Sequence, residues 1–310
     1  MSLTLVQNFN AYKGMTKRNI LLFFKDKTTL FFSMLAPLIV FFLYLVFLRN
    51  TYLSELKSQL KGLEDFVNMN DVDTILNAWL LAGILGTSCI TVSLNSLQVM
   101  VTDKSAKIDY DYNSSPVGGV VVILSYFTGA FINTFMITGG ILTLGLIILS
   151  AIGNLYIGFS TVILLYLVTL LGCASSTIIM MAVVQFFKKS SALGAFSGIV
   201  SASVGFVIGA YVPLGSFSTA IQGILSIVPG SHVACLYRNL LMSNVLDHIN
   251  TSLNGIDNGA FYNMVNNVFA LKLNMFNYIT PTYFMYIYSF SSVILALGIN
   301  IILYKKSSKR

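Results

Sequence analysis

The chain has 310 residues, of which 56% are hydrophobic and only 9% are charged, and its mean hydropathy is +0.80. Soluble domains carry about 25% charged residues, so this composition excludes an ordinary soluble enzyme and predicts an all-α, polytopic membrane protein that forms a single domain. A net charge of +7 would suggest nucleic-acid binding in a soluble protein, but here the basic residues lie in the predicted loops, and we expect no nucleic-acid partner.

The first predicted element is an amphipathic elbow helix over residues 5–27. Apolar residues share one face and basic residues lie elsewhere, which is typical of a helix on an anionic lipid surface. The alternative is a solvated basic leader. No apolar core precedes a cleavage site in residues 1–19, so we expect the first span to direct insertion. The apolar face comprises Leu5, Phe9, Tyr12, Ile20 and Phe23, and the residues expected to contact a cytoplasmic partner are Lys13, Lys17 and Arg18.

Windows without charge predict six membrane spans. A bilayer core of about 30 Å takes roughly 20 helical residues, so the window 112–187 holds more than one span, and Gly153-Asn154 marks the break. Two spans in this window place the basic pair Lys188-Lys189 on the cytoplasmic side, as the positive-inside rule requires. Three spans would place the pair outside. The predicted spans are 28–48, 78–101, 118–150, 157–187, 191–212 and 283–304.

After the fifth span we expect the chain to turn back. The sequence Tyr211-Val-Pro213-Leu-Gly215 disfavours a continued helix. If 216–228 crossed the membrane, the basic C-terminus would lie outside, so this segment is predicted to be re-entrant or interfacial. Residues 49–77, helical in part, and 229–282 then form extracytoplasmic loops. Both termini are cytoplasmic, with 13 basic and 4 acidic residues inside and 5 basic and 7 acidic residues outside.

The short loop DKSAKIDYDYNSSPV at 103–117 is dense in charges of both signs. Its Asn-Ser-Ser-Pro run is expected to cap the start of the third span, and the loop as a whole is typical of a short helix that docks on another protein. The alternative is an ordinary solvated turn. The candidate docking residues are Asp103, Lys104, Lys107, Asp109, Asp111 and Pro116.

Polar residues inside the spans are candidates for lining a translocation path. Span two is unusually polar, and its Asn95 and Gln98 either line a path or bond to a neighbouring helix. Ser201 and Ser203 in span five either meet a substrate or bond their own backbone.

Span five also contains two glycine pairs, 194/198 and 205/209. Small residues four apart let backbones approach closely, so this helix is predicted to pack against a neighbouring span or a second chain.

No catalytic or metal-ligating set is found. The chain has two histidines and three scattered cysteines, and His232 and Cys235 have no second pair nearby. Arg238 is expected either to cap backbone carbonyls or to meet an anionic headgroup. We therefore predict that the chain is not an enzyme.

Three segments appear in a distinctive order: KRNILLFFKDKTTLFFSMLAPLIVFFLYLVFL at 17–48, SSPV at 114–117 and YVPLGSFSTAIQGILSIVPGSHVACLYRNLLM at 211–242. Together they resemble the permease subunits of type-2 ATP-binding-cassette exporters, the family of bacterial drug, antibiotic and polysaccharide efflux permeases. The family's loop after span two usually carries Lys/Arg-x-x-Gly-Thr followed by Glu; DKSAKIDYDY keeps the charges without that Gly and Glu.

The resemblance implies a bacterial plasma-membrane protein that pairs with a second permease chain and docks its short cytoplasmic helices on two ATPase subunits. No G-x-x-x-x-G-K-[ST] occurs in the chain, so ATP and Mg²⁺ are expected on the partner ATPase, and this chain is expected to bind no cofactor.

The aromatic first span favours an amphipathic or lipophilic cargo, such as an antibiotic or antimicrobial peptide. Export of a polysaccharide or teichoic-acid precursor is an alternative cargo. A non-transporting membrane immunity or assembly factor is an alternative function. An ion-coupled carrier is disfavoured because the predicted spans contain no Asp, Glu, Lys or Arg.

Overall fold

The computed structural model describes residues 4–153 and 156–307. Within these ranges the chain is almost entirely helical, with one short antiparallel hairpin of β1 (Asn274–Met275) and β2 (Tyr278–Ile279). The helices are α1 Leu5–Lys25, α2 Lys27–Leu43, α3 Arg49–Gln59, α4 Met69–Ser96, α5 Gln98–Ser105, α6 Ile108–Ser114, α7 Gly119–Ile152, α8 Phe159–Val184, α9 Ser190–Val207, α10 Thr219–Ser226, α11 Pro229–Leu253, α12 Ala260–Val268 and α13 Thr282–Ser307.

Six helical stretches in the described ranges are long and apolar enough to cross a membrane, which confirms the prediction of an all-α, multi-pass membrane protein. They are Lys27–Gln59, Met69–Ser105, Gly119–Ile152, Phe159–Val184, Ser190–Val207 and Thr282–Leu303. The break between the third and fourth stretches follows Gly153, as predicted; Asn154 lies outside the described residues.

The first two crossing stretches are longer than the predicted spans. A π-helical turn at Tyr44–Leu48 joins α2 to α3, and α4 already begins at Met69. The expected loop 49–77 is therefore mostly helical. The reason is that no Gly or Pro interrupts residues 38–61, so the helix continues past Arg49, where the charge-free window ends.

The elbow helix α1, Leu5–Lys25, ends two residues before its predicted limit at residue 27, and it packs against the bundle. Thr4 and Gln7 form a capping box at its start, and Asp26 caps the start of α2. The Tyr12 hydroxyl donates to Thr128 of α7 at 2.8 Å, while Phe9 on the predicted apolar face stays exposed. One side of α1 thus contacts protein, and another side is exposed.

The segment after α9 contains a sharply bent helix pair, α10 and α11, which by length and composition is either a re-entrant element, as the sequence predicts, or a broken seventh span. The chain reverses through Gly209, which has a φ of +73°, and α10 and α11 meet at an angle of 101°. Gly230 at the start of α11 lies beside Ile90 in the last third of α4, whereas His248 near the end of α11 bonds Asp71 at the start of α4. The helix α11 therefore begins inside the bundle and runs outward along α4.

The expected loop 229–282 is not a simple loop, because α11 has 25 residues and is largely buried against α4, α8 and α13. Sequence analysis missed it because polar residues interrupt its apolar pattern. These residues bond inside the bundle; for example, the Ser231 hydroxyl donates to the Leu225 carbonyl at 2.7 Å. Here tertiary packing, and not periodicity, decides the helix.

The bundle has two distinct ends. The elbow end gathers α1, α5, α6, the α8–α9 turn and the end of α13, since Lys104 donates to the Gln185 carbonyl and Gln185 bonds Asn300. The far end gathers α3, the start of α4 and the end of α11. Basic residues concentrate at the elbow end, and most acidic residues lie at the far end.

Candidate functional site: the elbow-end hook and groove

The charged loop forms a helical hook, defined here as α5 and α6 with the turn at residues 106–107 between them. The turn is made by Lys107, whose φ of +62° lies in the left-handed region. The helix α6 leaves Tyr110 65% exposed and Asp111 exposed. The predicted short helix is therefore present and offers an aromatic and an acidic side chain to solvent.

Asp103 anchors the hook to the bundle. Its carboxylate is 2% exposed and accepts hydrogen bonds from both terminal nitrogens of Arg18, at 2.7 and 2.8 Å. It also accepts a bond from the Tyr126 hydroxyl at 2.6 Å. The hydrogen bond to Asp103 is the main cause that raises the pKa of Arg18. Three elements, α1, α5 and α7, thus meet at one buried carboxylate.

Two further contacts bind α5 to the α8–α9 turn. Lys104 Nζ donates to the Gln185 carbonyl at 3.0 Å, and the Ser105 hydroxyl donates to the Lys188 carbonyl at 3.0 Å. Of the predicted docking residues, Asp103 and Lys104 thus form hydrogen bonds within the chain. Residues 107, 111 and 116 are exposed, and Asp109 is half-buried.

The predicted cap of the third span is not observed. The helix α6 extends through Ser114, and α7 starts after Gly118 without a side-chain cap. Ser115 instead ends α6, and its hydroxyl donates to the Tyr112 carbonyl at 2.8 Å. Pro116 disfavours helix at the preceding residue, which accounts for the extended backbone of Ser115.

The three basic residues predicted on the elbow helix have different surroundings. Arg18 is partly buried and holds Asp103. Lys13 and Lys17 are exposed on the surface of α1. Of these three residues, Lys13 and Lys17 have their side chains on the surface, where an external partner can reach them.

A groove of about 330 Å³ opens between α2, α4 and α9, and it brings together three of the four predicted path-lining residues, Asn95, Gln98 and Ser201. Ser203 is on the other side of α9, exposed, where its hydroxyl donates to the Ile199 carbonyl at 2.9 Å. A second lobe of about 250 Å³ shares Thr29, Asn95 and Gln98 with the first and extends to Arg18, Thr102 and Asp103 of the anchor.

Asn95 both lines the groove and joins two helices. Its Nδ2 donates to the Thr91 carbonyl at 2.9 Å, and its Oδ1 accepts from the Ser197 hydroxyl of α9 at 2.8 Å. Asn95 therefore lines a groove and also bonds to a neighbouring helix, so the two alternatives stated from the sequence do not exclude each other. Ser197, which sequence analysis did not select, lies one helical turn before Ser201 and could have been found from that spacing.

The two glycine pairs of α9 differ. A Cβ at Gly194 or Gly198 would meet no atom of the described chain within 4 Å. A Cβ at Gly205 would collide with the ring of Tyr211, and one at Gly209 with Leu214. Packing within the chain accounts for the second pair only, and the first pair forms an open strip at the edge of the groove.

The isolated polar residues of α11 have structural partners. Arg238 is fully buried and caps the end of α9, donating to the Gly209 carbonyl at 2.8 Å. His232 bonds the Ser226 carbonyl at 2.7 Å, and Cys235 donates to the Ala270 carbonyl at 3.1 Å. Across residues 4–153 and 156–307, no group of three His, Cys, Asp or Glu side chains is arranged to hold a metal ion.

No family model matches the chain, and no curated protein matches it.

Proposed function

We propose that the chain is the permease subunit of an ATP-driven exporter, in which the groove forms part of the translocation path and the hook receives the force of a separate ATPase subunit. The observation that carries this proposal is that hook and groove share residues: Gln98, Thr102 and Asp103 belong to α5 and also line the groove. A displacement of the hook must therefore move a wall of the groove.

The charge distribution supports a cytoplasmic elbow end. Basic residues concentrate on the cytoplasmic side of membrane proteins, and here the elbow end holds 11 of the 16 basic residues that the structure describes. This orientation puts the hook in the compartment that contains ATP. Both termini are then cytoplasmic, and a bacterial plasma membrane is the proposed location.

The lining of the groove favours an amphipathic cargo. The lobe between α2, α4 and α9 combines hydroxyl and amide groups with the apolar Phe32 and Leu35 and carries no charged side chain. An antibiotic or antimicrobial peptide fits this mixture; a polysaccharide or teichoic-acid precursor is the second candidate, favoured by the amide groups of Asn95 and Gln98.

The groove also supports a second permease chain. Polar groups at membrane depth need protein or water beside them, and the groove is open on the side where Gly194 and Gly198 leave α9 uncovered. A second copy or a sister permease on this strip would close the path. ATP and Mg²⁺ would bind to the ATPase, and this chain would bind no cofactor.

An ion-coupled carrier is less well supported. No crossing stretch carries a charged residue in its apolar middle. The buried Arg238 belongs to α11, where its guanidinium caps carbonyls of α9. Carriers of this kind rely on an ionisable group at the midplane.

The test is affinity purification of the full chain from its native membrane in mild detergent, with mass spectrometry of bound proteins and an ATPase assay. We expect a cassette ATPase to co-purify with the wild-type chain and to be lost from the double variant Tyr110→Ala/Asp111→Ala. The control is Glu55→Ala, which removes an exposed acidic residue at the far end.

Absence of any ATPase from the wild-type preparation, with no ATP turnover, would refute the exporter and support a non-transporting immunity or assembly factor. Retention of the ATPase by the double variant would refute the hook as the docking surface.

A further inference from the structure

A second polar cavity, of about 320 Å³, lies away from the elbow end, between α10, the end of α12 and the hairpin, and is named the far-end pocket here. It adjoins the first half of α11, where Asn239 donates to the Leu271 carbonyl. It shares no residue with the hook or the groove. Its volume is at the small end of the range of ligand pockets, about 300–1,000 Å³, and suits a headgroup-sized molecule. Its polar lining consists of four amide side chains and one ammonium group: Gln222, Asn266, Asn267, Asn274 and Lys272.

The walls of this far-end pocket are fixed by the backbone. Gly215 packs directly on the Asn267 carbonyl, and any larger residue would collide there. Gln222 Nε2 donates to the Phe217 carbonyl at 2.8 Å, which fixes the amide in place. Phe276 and Asn277 have φ values of +50° and +70°, a tight two-residue hairpin turn. The pocket is therefore preformed.

Two polar groups of the lining, Asn274 Oδ1 and the Lys272 ammonium, are not paired with any described residue. Asn274 Oδ1 is buried and has no hydrogen-bond partner in the described part of the chain. Lys272 is exposed, and no described residue forms an ion pair with it. No carboxylate lines the pocket. An anionic group beside Lys272 and a hydroxyl that donates to Asn274 would complement both.

The surroundings of the pocket are apolar. Exposed fractions are 60% for Ile224 of α10, 57% for Phe276, 63% for Ile279 and 66% for Tyr283. The helix α13 begins just after the hairpin, and its 22-residue stretch Thr282–Leu303 is about long enough to cross the hydrocarbon core. The pocket therefore lies at headgroup depth, where aromatic residues are enriched in membrane proteins.

We infer that the far-end pocket binds the headgroup of an anionic, hydroxyl-bearing phospholipid, with the acyl chains on the apolar residues around it. The phosphodiester lies beside Lys272, and a headgroup hydroxyl donates to Asn274 Oδ1. An ethanolamine headgroup fits poorly, because its ammonium would meet Lys272 and find no carboxylate. A soluble phosphorylated polyol has the same polar chemistry, but it would leave the apolar rim unused.

The test is native mass spectrometry of the full chain with phosphatidylglycerol or phosphatidylethanolamine added in equal amounts. We expect phosphatidylglycerol to be retained preferentially and its retention to fall about tenfold in Lys272→Ala, because a hydrogen bond to a charged group is lost. Asn274→Leu should also reduce retention. Lys61→Ala, which removes an exposed far-end lysine outside the pocket, is the matched control and should retain the lipid. Melting temperatures equal to wild type establish that the variants are folded.

Equal retention of the two lipids would overturn the inference, as would equal loss in the Lys61 and Lys272 variants. The source of the headgroup is tested by competition with soluble glycerophosphoglycerol. Failure to displace the lipid at equal concentration supports a membrane lipid, and full displacement would overturn that assignment in favour of a soluble ligand. The exporter proposal is unaffected by either result.

Discussion

Replacement of Asp103 by Asn tests the anchor of the hook. The carboxylate accepts two bonds from Arg18 and one from Tyr126, at 2.6–2.8 Å. An Asn side chain has the same shape but no charge, and its NH₂ group would face a hydrogen-bond donor of Arg18 or Tyr126. Bonds to charged groups contribute about 1.5–3 kcal/mol each. Because the Arg18 side chain is 34% exposed, solvent recovers part of that loss. We expect a destabilisation of about 2–4 kcal/mol.

The assay is thermal unfolding of the purified full chain in detergent. The entropy of unfolding is about 2.1 cal/mol/K per residue, so in a chain of 310 residues a destabilisation of 1 kcal/mol lowers the melting temperature by about 1.5 °C, and Asp103→Asn should lower it by about 3–6 °C. The control is Asp111→Asn on the exposed side of α6, which should stay within about 0.5 kcal/mol of wild type.

A double-mutant cycle isolates the pair itself. Arg18→Gln and Asp103→Asn should together cost less than the sum of the single changes, since each single variant already breaks the same bonds. If Asp103→Asn behaves like Asp111→Asn, or if the two changes are additive, the anchor does not stabilise the fold and the argument for a rigid hook is wrong.

Three further predictions concern assembly, topology and pH. Gly198→Leu should leave the melting temperature unchanged and reduce the amount of cross-linked dimer. Gly205→Ala should destabilise the chain by about 1–3 kcal/mol through overpacking. Equal melting temperatures for the two variants would contradict this prediction. A cysteine at Lys61 should react with an impermeant label from outside and one at Lys107 only after permeabilisation, with little background because all three native cysteines are buried; the reverse pattern would invert the topology. Asp26→Ala should remove the cap of α2 and cost about 1 kcal/mol at neutral pH. Hydrogen bonds, chiefly from the Thr29 side chain, lower the pKa of Asp26. The contribution of Asp26 to stability is therefore complete above its usual pKa of about 3.9 and is lost as the pH falls through the lowered pKa. A difference in stability between variant and wild type that grows in acid would contradict this prediction.

The crossing helices could be predicted from sequence because hydrocarbon imposes a simple requirement, about 20 residues without charge. The same rule misplaced the ends of the first two spans, since a helix can continue beyond the membrane wherever no Gly or Pro interrupts it. It also missed α11, in which the buried Ser231, His232 and Arg238 each form a hydrogen bond with a bundle carbonyl.

The candidate site could be predicted in part. The charge pattern identified both Arg18 and Asp103, but their pairing spans 85 positions, and no local signal indicates it. Helical phase could have separated Ser201 from Ser203, because residues two apart on a helix point about 200° away from each other. Only Ser201 lines the groove, together with Ser197 one turn earlier.

Whether the hook can transmit a force to the groove, or is only a solvated turn, depends on its contacts with the rest of the bundle. A solvated turn needs no buried anchor, yet α5 is bound to α1 and α7 through Asp103 and to the α8–α9 turn through Lys104 and Ser105. Since α1, α5 and α9 all line the groove, a force on the exposed side of α6 is transmitted to three of its walls. The proposed ATP-driven permease requires such a connection, whereas the alternative of a non-transporting factor does not.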